Sequence, residues 1–154
     1  MTSPIHTIAR AVIIEKGHIL VCYNPQSTKP YTYLPGGHIE EGESAKFALQ
    51  REMKEETTLD FKVGGILGIL EYNFHKSFNV KPCHTHEYNF LFKASCAQLS
   101  GLENPPEPEQ ESVRFKWVSL NNLKESNLLP SPLISLLPQW LTSKNTSFFF
   151  SQMI

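Results

Sequence analysis

The sequence lacks the features of a membrane protein and of a secreted, disulfide-bonded protein. It contains no run of about 18 consecutive apolar residues, so no transmembrane helix is expected. No basic segment followed by an apolar stretch opens the chain, so no signal peptide is expected. The three cysteines form an odd number without a framework spacing and are expected to be free thiols. We therefore expect a cytoplasmic protein that does not bind membranes.

An excess of positive charge is also missing. The 14 Lys and Arg residues are balanced by 15 Asp and Glu residues, which gives a formal net charge of −1. General nucleic-acid binders normally carry a basic excess, so general nucleic-acid binding is not expected. The hydrophobic fraction of 40% and the charged fraction of 19% are ordinary for a soluble globular protein.

A chain of 154 residues is long enough for one well-formed hydrophobic core. We expect a single domain over residues 1–142 and a tail of uncertain order over residues 143–154. In this tail the aromatic run Phe148–Phe150 fits no pattern of secondary structure. Packing on the domain, a homodimer contact and disorder all remain open for it.

The first third of the chain predicts short β-strands. Ile5–Ile14 and His18–Tyr23 are rich in β-branched or apolar residues and flank a Lys-Gly turn, which predicts a β-hairpin. Tyr31–Leu34 predicts a further strand, and Pro35-Gly36-Gly37 is expected to end it.

The rest of the chain predicts a strong helix, more strands and a second helix. Ser44–Thr57 contains no Gly or Pro, and Ser44 can cap its N-terminus. The other predicted elements are strands at Leu59–Tyr72, His84–Ser95 and Val113–Val118, a loop at Gly101–Ser112, a helical turn at Ser119–Leu123 and a helix at Ser131–Leu141 with Pro138 inside it. Strands around a central helix, with another helix at the end, predict an α/β (α+β) sandwich.

The predicted helix carries carboxylates on its apolar face. On a helical wheel this face is formed by Ala45, Ala48, Leu49 and Met53. Glu52 and Glu56 fall within the same face, whereas Glu55 lies at its edge, one turn beyond Arg51. The lysines of the helix lie on the opposite face. A glutamate-rich helix usually carries its glutamates on a solvated face. Here the lysines already form that face.

Carboxylates turned towards the core need a partner. An ionised carboxylate buried without one costs several kcal/mol, and clustered carboxylates raise one another's pKa. Mg²⁺ removes both penalties, because it takes oxygen ligands and bridges carboxylates to substrate phosphates. Pro35-Gly36-Gly37 lets the backbone approach a ligand closely and could offer carbonyls to the metal or amides to a phosphate. The sequence therefore predicts a metal site on this helix.

The segment Gly37–Leu59 resembles the Nudix box. The box consists of Gly, five residues, Glu, seven residues, Arg-Glu, an apolar residue, one residue, Glu-Glu, one residue, Gly and an apolar residue. The matching positions are Gly37, Glu43, Arg51, Glu52, Met53, Glu55, Glu56 and Leu59. The Gly near the end of the box is replaced by Thr58, which puts the end of the helix in question but leaves every carboxylate in place.

The resemblance to Nudix (MutT-like) hydrolases implies a Nudix-like fold, with a mixed β-sheet between helices. It implies a small-molecule nucleotide substrate: a nucleoside diphosphate linked to another group, hydrolysed with Mg²⁺ or Mn²⁺. Glu52, Glu55 and Glu56 would hold the metal, with one of them a candidate general base, and the Gly36 carbonyl would be a further ligand. Arg51 and Glu43 would orient the carboxylates.

The resemblance also implies a further glutamate from the loop before the Trp117 strand, where Glu109 and Glu111 are candidates by position. Glu111 is preferred there over Glu109. Two other functions on the same fold stay open beside the hydrolase. A nucleotide-binding module without catalysis would be favoured by loss of a metal carboxylate, and none is missing. An isomerase of an isoprenoid diphosphate would need a catalytic Cys and Glu that the chain does not clearly provide.

Several other side chains receive weaker predictions. His75, Cys83, His84 and His86 do not have the spacing of a structural zinc site, so zinc is not expected. The aromatic residues Tyr31, Tyr33, Tyr72 and Phe74 are expected to pack in the core, with base stacking as the alternative.

Overall fold

A computed structural model describes residues 4–74, 85–99, 106, 108–145 and 148–153. In these residues the strands are β1 Ile5–Val12, β2 Ile14–Glu15, β3 His18–Tyr23, β4 Thr32–Tyr33, β5 Gly36–His38, β6 Lys62–Asn73, β7 His86–Ser95, β8 Arg114–Ser119, β9 Leu128–Leu129 and β10 Phe149–Ser151. The helices are α1 Ala45–Thr57, α2 Leu133–Thr142 and a 3₁₀ turn at Leu120–Asn122. None of the helices described is both long and apolar enough to span a bilayer.

The strands form two sheets. Sheet A has the order β10-β6-β7-β1-β5, in which β10–β6 and β7–β1 are parallel and the other two pairs antiparallel. Sheet B has the order β2-β3-β4-β9, and β8 pairs with β3. The predicted combination of mixed sheet and helices is confirmed, although the strands are divided between two sheets.

The strands at the centre are apolar on both faces, which is why they are central. In β3, Ile19 and Val21 belong to the core cluster that contains the buried residues of α2. The alternate residues Leu20 and Cys22 belong to the cluster that contains Leu49 and Met53 of α1. The two helices are thus held on two separate apolar cores.

The predicted N-terminal hairpin is largely wrong. Only Ile14 and Glu15 pair with β3, opposite Ile19 and His18. Residues 5–12 instead run parallel to β7 over eight register pairs. Both faces of β1 carry buried residues, so β1 gains more burial between β5 and β7 than it would at the end of a hairpin.

The Pro-Gly-Gly segment ends the predicted strand, since β4 is Thr32–Tyr33, but its glycines also open a further strand that was not predicted. Gly36–His38 is itself a strand, β5, antiparallel to β1 with Gly36 opposite Arg10. Gly36 has a φ of +125°, a conformation that L side chains rarely adopt. A Cβ on Gly36 would also overlap the carbonyl oxygen of Ala9. Absence of a side chain therefore permits the pairing that places Gly36 beside α1. We call the bend at Pro35–Gly37, which opens β5, the Gly36 turn.

The carboxylate helix begins and ends where its local sequence dictates. The Ser44 hydroxyl accepts a hydrogen bond from the Phe47 amide at 3.2 Å and caps the N-terminus, as predicted. At the other end, Thr58 has a φ of 59° and a ψ of −1°, and its amide donates to the Lys54 carbonyl. Thr58 therefore adopts the left-handed conformation that glycine would favour.

Thr58→Gly is expected to raise the free energy of unfolding by about 1 kcal/mol. A left-handed conformation costs a residue with a Cβ about that much, and Thr58 is exposed, so few contacts are lost. Urea unfolding measures the change. Thr58→Ala is the matched control: it removes the β-branch, keeps the Cβ, and is expected to recover less than the glycine. Equal stability of Thr58→Gly and wild type would contradict this account.

The aromatic C-terminal residues pack on the domain. Phe149 and Phe150 pair parallel with Ile69 and Leu70 of β6. The Phe148 ring stacks on Trp140 of α2 at a centroid distance of 5.5 Å. Of the three alternatives left by the sequence, the structure shows the first for residues 148–151.

Candidate active site

The Gly36-Gly37 turn and helix α1 meet at Glu52. A Cβ on Gly37 would overlap the Glu52 carboxylate, so this carboxylate lies directly against the backbone of the turn. A Cβ on Gly36 would lie 3.0 Å from Leu49 on the same helix. Gly36 is therefore required for the close approach of β5 to its neighbours, and Gly37 leaves room for the Glu52 carboxylate.

Arg51 holds the neighbouring carboxylates in position. Its Nη2 donates to Glu43 Oε1 at 2.7 Å and its Nε to Glu43 Oε2 at 3.2 Å, a bidentate pair. Its Nη1 donates to Glu52 Oε1 at 2.9 Å and lies 3.5 Å from Glu55 Oε2. Nη2 also donates to the His38 carbonyl at 3.2 Å, which ties the helix to the end of β5.

Glu43 completes this network from the loop before the helix. Its Oε1 accepts the Glu40 amide at 2.8 Å in addition to Arg51. The hydrogen bond with Arg51 holds the pKa of Glu43 below its usual value and raises that of Arg51. The contacts that Arg51 and Glu43 make fit the orienting role predicted for them.

Glu56 has a different environment from the other two glutamates. The Oε2 atom is buried, with no hydrogen-bond partner among the described residues. Burial, followed by the charge of Glu52, raises the pKa of Glu56 from 4.5 to about 7, while Arg10 and the Gly36 amide act in the opposite direction. By contrast the Glu55 side chain is 59% exposed and that of Glu52 is 21% exposed. As the helical wheel indicated, Glu55 is the most exposed of the three carboxylates.

The donor set suits a hard divalent cation. Glu52 and Glu56 bring carboxylate oxygens to one turn, and the buried Oε2 of Glu56 is an acceptor that lacks a donor. Within the described part of the chain, no three His, Cys, Asp or Glu side chains are already arranged to hold a metal ion. Glu52 and Glu55 are paired with Arg51 instead. The oxygen atoms of these residues therefore suit Mg²⁺ as ligands. A bound cation would compete with Arg51 for the carboxylates of Glu52 and Glu55.

The loop before β8 lies against the end of α1. The Glu109 amide donates to the Glu56 carbonyl at 3.0 Å, which satisfies one of the last carbonyls of the helix. Arg114 Nη1 donates to the carbonyls of Gln110, Glu111 and Val113 and so shapes the loop. Glu109 and Glu111 are both exposed. It is Glu109, the less preferred residue, whose backbone contacts the carboxylate helix.

The other predicted residues lie away from this cluster or outside the described chain. His75, Cys83 and His84 lie outside the described residues. His86 pairs with Glu71 at 2.9 Å, and Tyr88 donates to the same oxygen at 2.8 Å. Tyr72 and Phe74 form an edge-to-face pair with centroids 4.8 Å apart.

Sequence reasoning missed Arg10, which approaches the site from β1. The Arg10 guanidinium contacts the Leu34 carbonyl and lies over the ring of Tyr33 at 5.9 Å. Burial raises the pKa of Tyr33, and Cys22 and Glu56 add to the effect. The one signal available was an arginine within the apolar second half of β1, Ile8–Val12.

Comparison with known proteins places the chain in a family. A sequence model of the NUDIX domain matches residues 5–139. Putative nudix hydrolase 1 of Caenorhabditis elegans is 27% identical over 110 residues, which are 71% of this chain and 26% of that protein. The chain thus spans about a quarter of the length of this relative. Phosphatase NudJ of Escherichia coli K12 is 24% identical over 131 residues, which are 84% of this chain and 78% of that protein.

A solved structure shares the fold. The crystal structure of UDP-X diphosphatase has a TM-score of 0.68 at 20% identity and covers 97% of this chain and 69% of that one. The predicted fold is confirmed by this likeness, and the prediction of a hydrolase is supported by the family and both relatives. Because the NUDIX match extends over residues 5–139, the chain belongs to the NUDIX domain family.

Proposed function

We propose that this protein is a Mg²⁺-dependent pyrophosphohydrolase, with Mn²⁺ as an alternative cation, that cleaves a phosphoanhydride bond in a nucleoside diphosphate derivative. The observation that carries the proposal is the carboxylate of Glu56. It is buried beside the Gly36 turn with one oxygen unpartnered among the described residues. A buried acceptor of this kind is costly unless a ligand or ion satisfies it.

The metal ligands in this proposal are Glu52, Glu55, Glu56 and the carbonyl of Gly36. A bound Mg²⁺ would neutralise charge on the phosphoryl oxygens and make an attacking water more acidic. Arg51 and Glu43 hold Glu52 in position through the bidentate pair described above. Glu111 is exposed and is not assigned to the metal, so it is available to accept the proton of the attacking water.

The family and the name of one structural relative support the proposed substrate class. The name UDP-X diphosphatase describes action on a nucleoside diphosphate joined to a second group. We extend that class to this chain without choosing the second group, so nucleoside triphosphates and ADP-ribose-like sugar nucleotides are included. A cytoplasmic location and a single domain remain predictions, as does homodimer formation.

A panel of nucleotides tests the proposal. Nucleoside triphosphates, ADP-ribose, UDP-sugars and dinucleoside polyphosphates are incubated with the protein in Mg²⁺, and the products are separated by ion-exchange chromatography. At least one compound is expected to be split between two phosphorus atoms. EDTA is expected to stop the reaction, and Mg²⁺ or Mn²⁺ to restore it. The matched control variant, Glu125→Gln, removes an exposed carboxylate outside the site and is expected to behave as wild type.

Two outcomes would contradict the proposal. Turnover that persists in EDTA would exclude the metal-dependent mechanism. Nucleotide binding without turnover of any compound would instead establish the binding module that the sequence left open.

A further inference from the structure

Arg10 contacts the Gly36 carbonyl and interacts electrostatically with Glu56. It lies on β1, opposite Gly36 in the register with β5. Its Nη1 donates to the Leu34 carbonyl at 3.0 Å and lies 3.5 Å from the Gly36 carbonyl. The guanidinium is therefore fixed to the same turn that the proposed function assigns to the metal site.

The buried side chains of Asn89 and Glu87 support Arg10 through its Nε atom. Arg10 Nε lies 3.5 Å from Asn89 Oδ1, and Asn89 Nδ2 donates to Glu87 Oε1 at 2.8 Å. Asn89 is 0% exposed and Glu87 is 2% exposed. Together with the Tyr33 ring over the guanidinium, these contacts leave Arg10 little conformational freedom. A side chain fixed in this way loses little entropy when it binds a ligand.

One end of the guanidinium is still available. Within the described part of the chain, no hydrogen-bond partner of Arg10 Nη2 is found, and no carboxylate lies within 4.0 Å to form an ion pair with Arg10. Nη2 is not fully buried, so solvent reaches it. Arg51, the other arginine of the site, differs because three carboxylates neutralise it.

The charge on Arg10 faces Glu56 at longer range. The two groups interact electrostatically without forming a direct ion pair. A cation held by Glu56 would take over that carboxylate, and the charge of Arg10 would then be free for an anion beside the metal. The planar fork of an arginine suits the oxygens of a phosphate group.

We propose that Arg10 is a substrate-binding residue whose Nη2 donates hydrogen bonds to the diphosphate of the substrate. The inference rests on the proposed function for the metal site and for the identity of the substrate, but the binding of the anionic group requires no turnover. Asn89 and Glu87 are positioning residues that act through Arg10.

Binding of inorganic pyrophosphate in the presence of Mg²⁺ tests the role of Arg10 without a nucleotide substrate. Isothermal titration compares wild type, Arg10→Gln and Arg10→Lys. Arg10→Gln is expected to weaken binding at least about tenfold, the loss of one charge-assisted hydrogen bond, with Arg10→Lys in between. Lys54→Gln is the matched control: it removes a positive charge that pairs with Asp60 on the exposed face of α1, and binding is expected to be unchanged.

A second measurement covers the case in which Arg10→Gln does not fold. In wild type labelled with ¹⁵N, the Arg10 side-chain Nε–Hε resonance is expected to shift as pyrophosphate saturates the protein. No shift at saturation, no binding by wild type, or wild-type affinity in a folded Arg10→Gln variant would each overturn the proposal.

The two proposals fail in different ways. Pyrophosphate binding that depends on Arg10 in a protein that hydrolyses nothing would contradict the proposed function alone. Hydrolysis by wild type with unchanged pyrophosphate affinity in Arg10→Gln would contradict this inference alone.

Discussion

Glu56→Gln is expected to lower the rate of hydrolysis on the order of 10³-fold while making the metal-free protein more stable at neutral pH. The rate falls because the amide cannot neutralise a cation, and loss of one preorganised electrostatic contact in an active site has an effect of that size. The stability rises because the amide removes a buried ionisable group whose pKa lies near 7. A residue that only supported the fold would change both quantities in the same direction.

The raised pKa of Glu56 makes the stability of the metal-free protein depend on pH. The carboxyl of Glu56 has a pKa of about 7 in the folded protein and an ordinary value of 4.5. The folded state therefore binds more protons than the unfolded state between these values, and stability falls as the pH rises from 4.5 to 7. At 1.4 kcal/mol for each pKa unit, the Glu56 contribution to this loss is roughly 3 kcal/mol. Above pH 7 this contribution is constant.

Urea unfolding in EDTA at several pH values measures the slope. Glu56→Gln is expected to flatten it between pH 5 and 7, whereas Glu125→Gln is expected to retain it. Saturating Mg²⁺ is expected to stabilise wild type increasingly over the same pH range, because the cation favours the ionised carboxylate. An identical slope in wild type and Glu56→Gln would show that Glu56 titrates normally.

Gly36→Ala is expected to destabilise the fold by about 4 kcal/mol or more. The new Cβ would overlap the Ala9 carbonyl oxygen, and this oxygen belongs to the β1 backbone, so it cannot rotate away as a side chain could. The φ of +125° adds backbone strain for any residue with a Cβ. Differential scanning calorimetry is expected to show a fall in Tm of about 10 °C or more, or no folded protein at all.

Gly37→Ala is the matched control one residue away. The Cβ there would meet only the Glu52 carboxylate, which is the end of a flexible side chain. The fold is expected to survive with its Tm nearly unchanged, while hydrolysis and Mg²⁺ affinity are lost because Glu52 is displaced. Equal stability of Gly36→Ala and Gly37→Ala would contradict the close contact between β5 and β1.

The parts of this molecule that could be predicted from sequence are those set by neighbours along the chain. Helix α1 was predicted because the Ser44 cap, the lack of Gly and Pro, and the apolar stripe are all local. The position of the Gly36 turn before it, and the different exposures of Glu52 and Glu55, follow from the same local spacing.

The parts that could not be predicted depend on residues far apart in the sequence. Nothing near Ile5–Val12 indicates that this strand pairs with β7 rather than with β3. Arg10 and Asn89 are separated by 79 positions, so their contact left no pattern in either segment. Phe149 and Phe150 are exposed, and their pairing with β6 comes from backbone hydrogen bonds that any residue could make.

The parallel pairing of β1 with β7 also limits when the site can form during folding. Strand β1 provides the surface against which Gly36 and Arg10 are placed, and that strand is completed in sheet A only when β7 arrives. Closing so long a loop is an entropically slow step. A fragment that contained α1 and every glutamate of the box would therefore carry the ligands but not the strands that bring them together. The ability to bind a cation would appear late in folding, when sheet A forms and not when the helix forms.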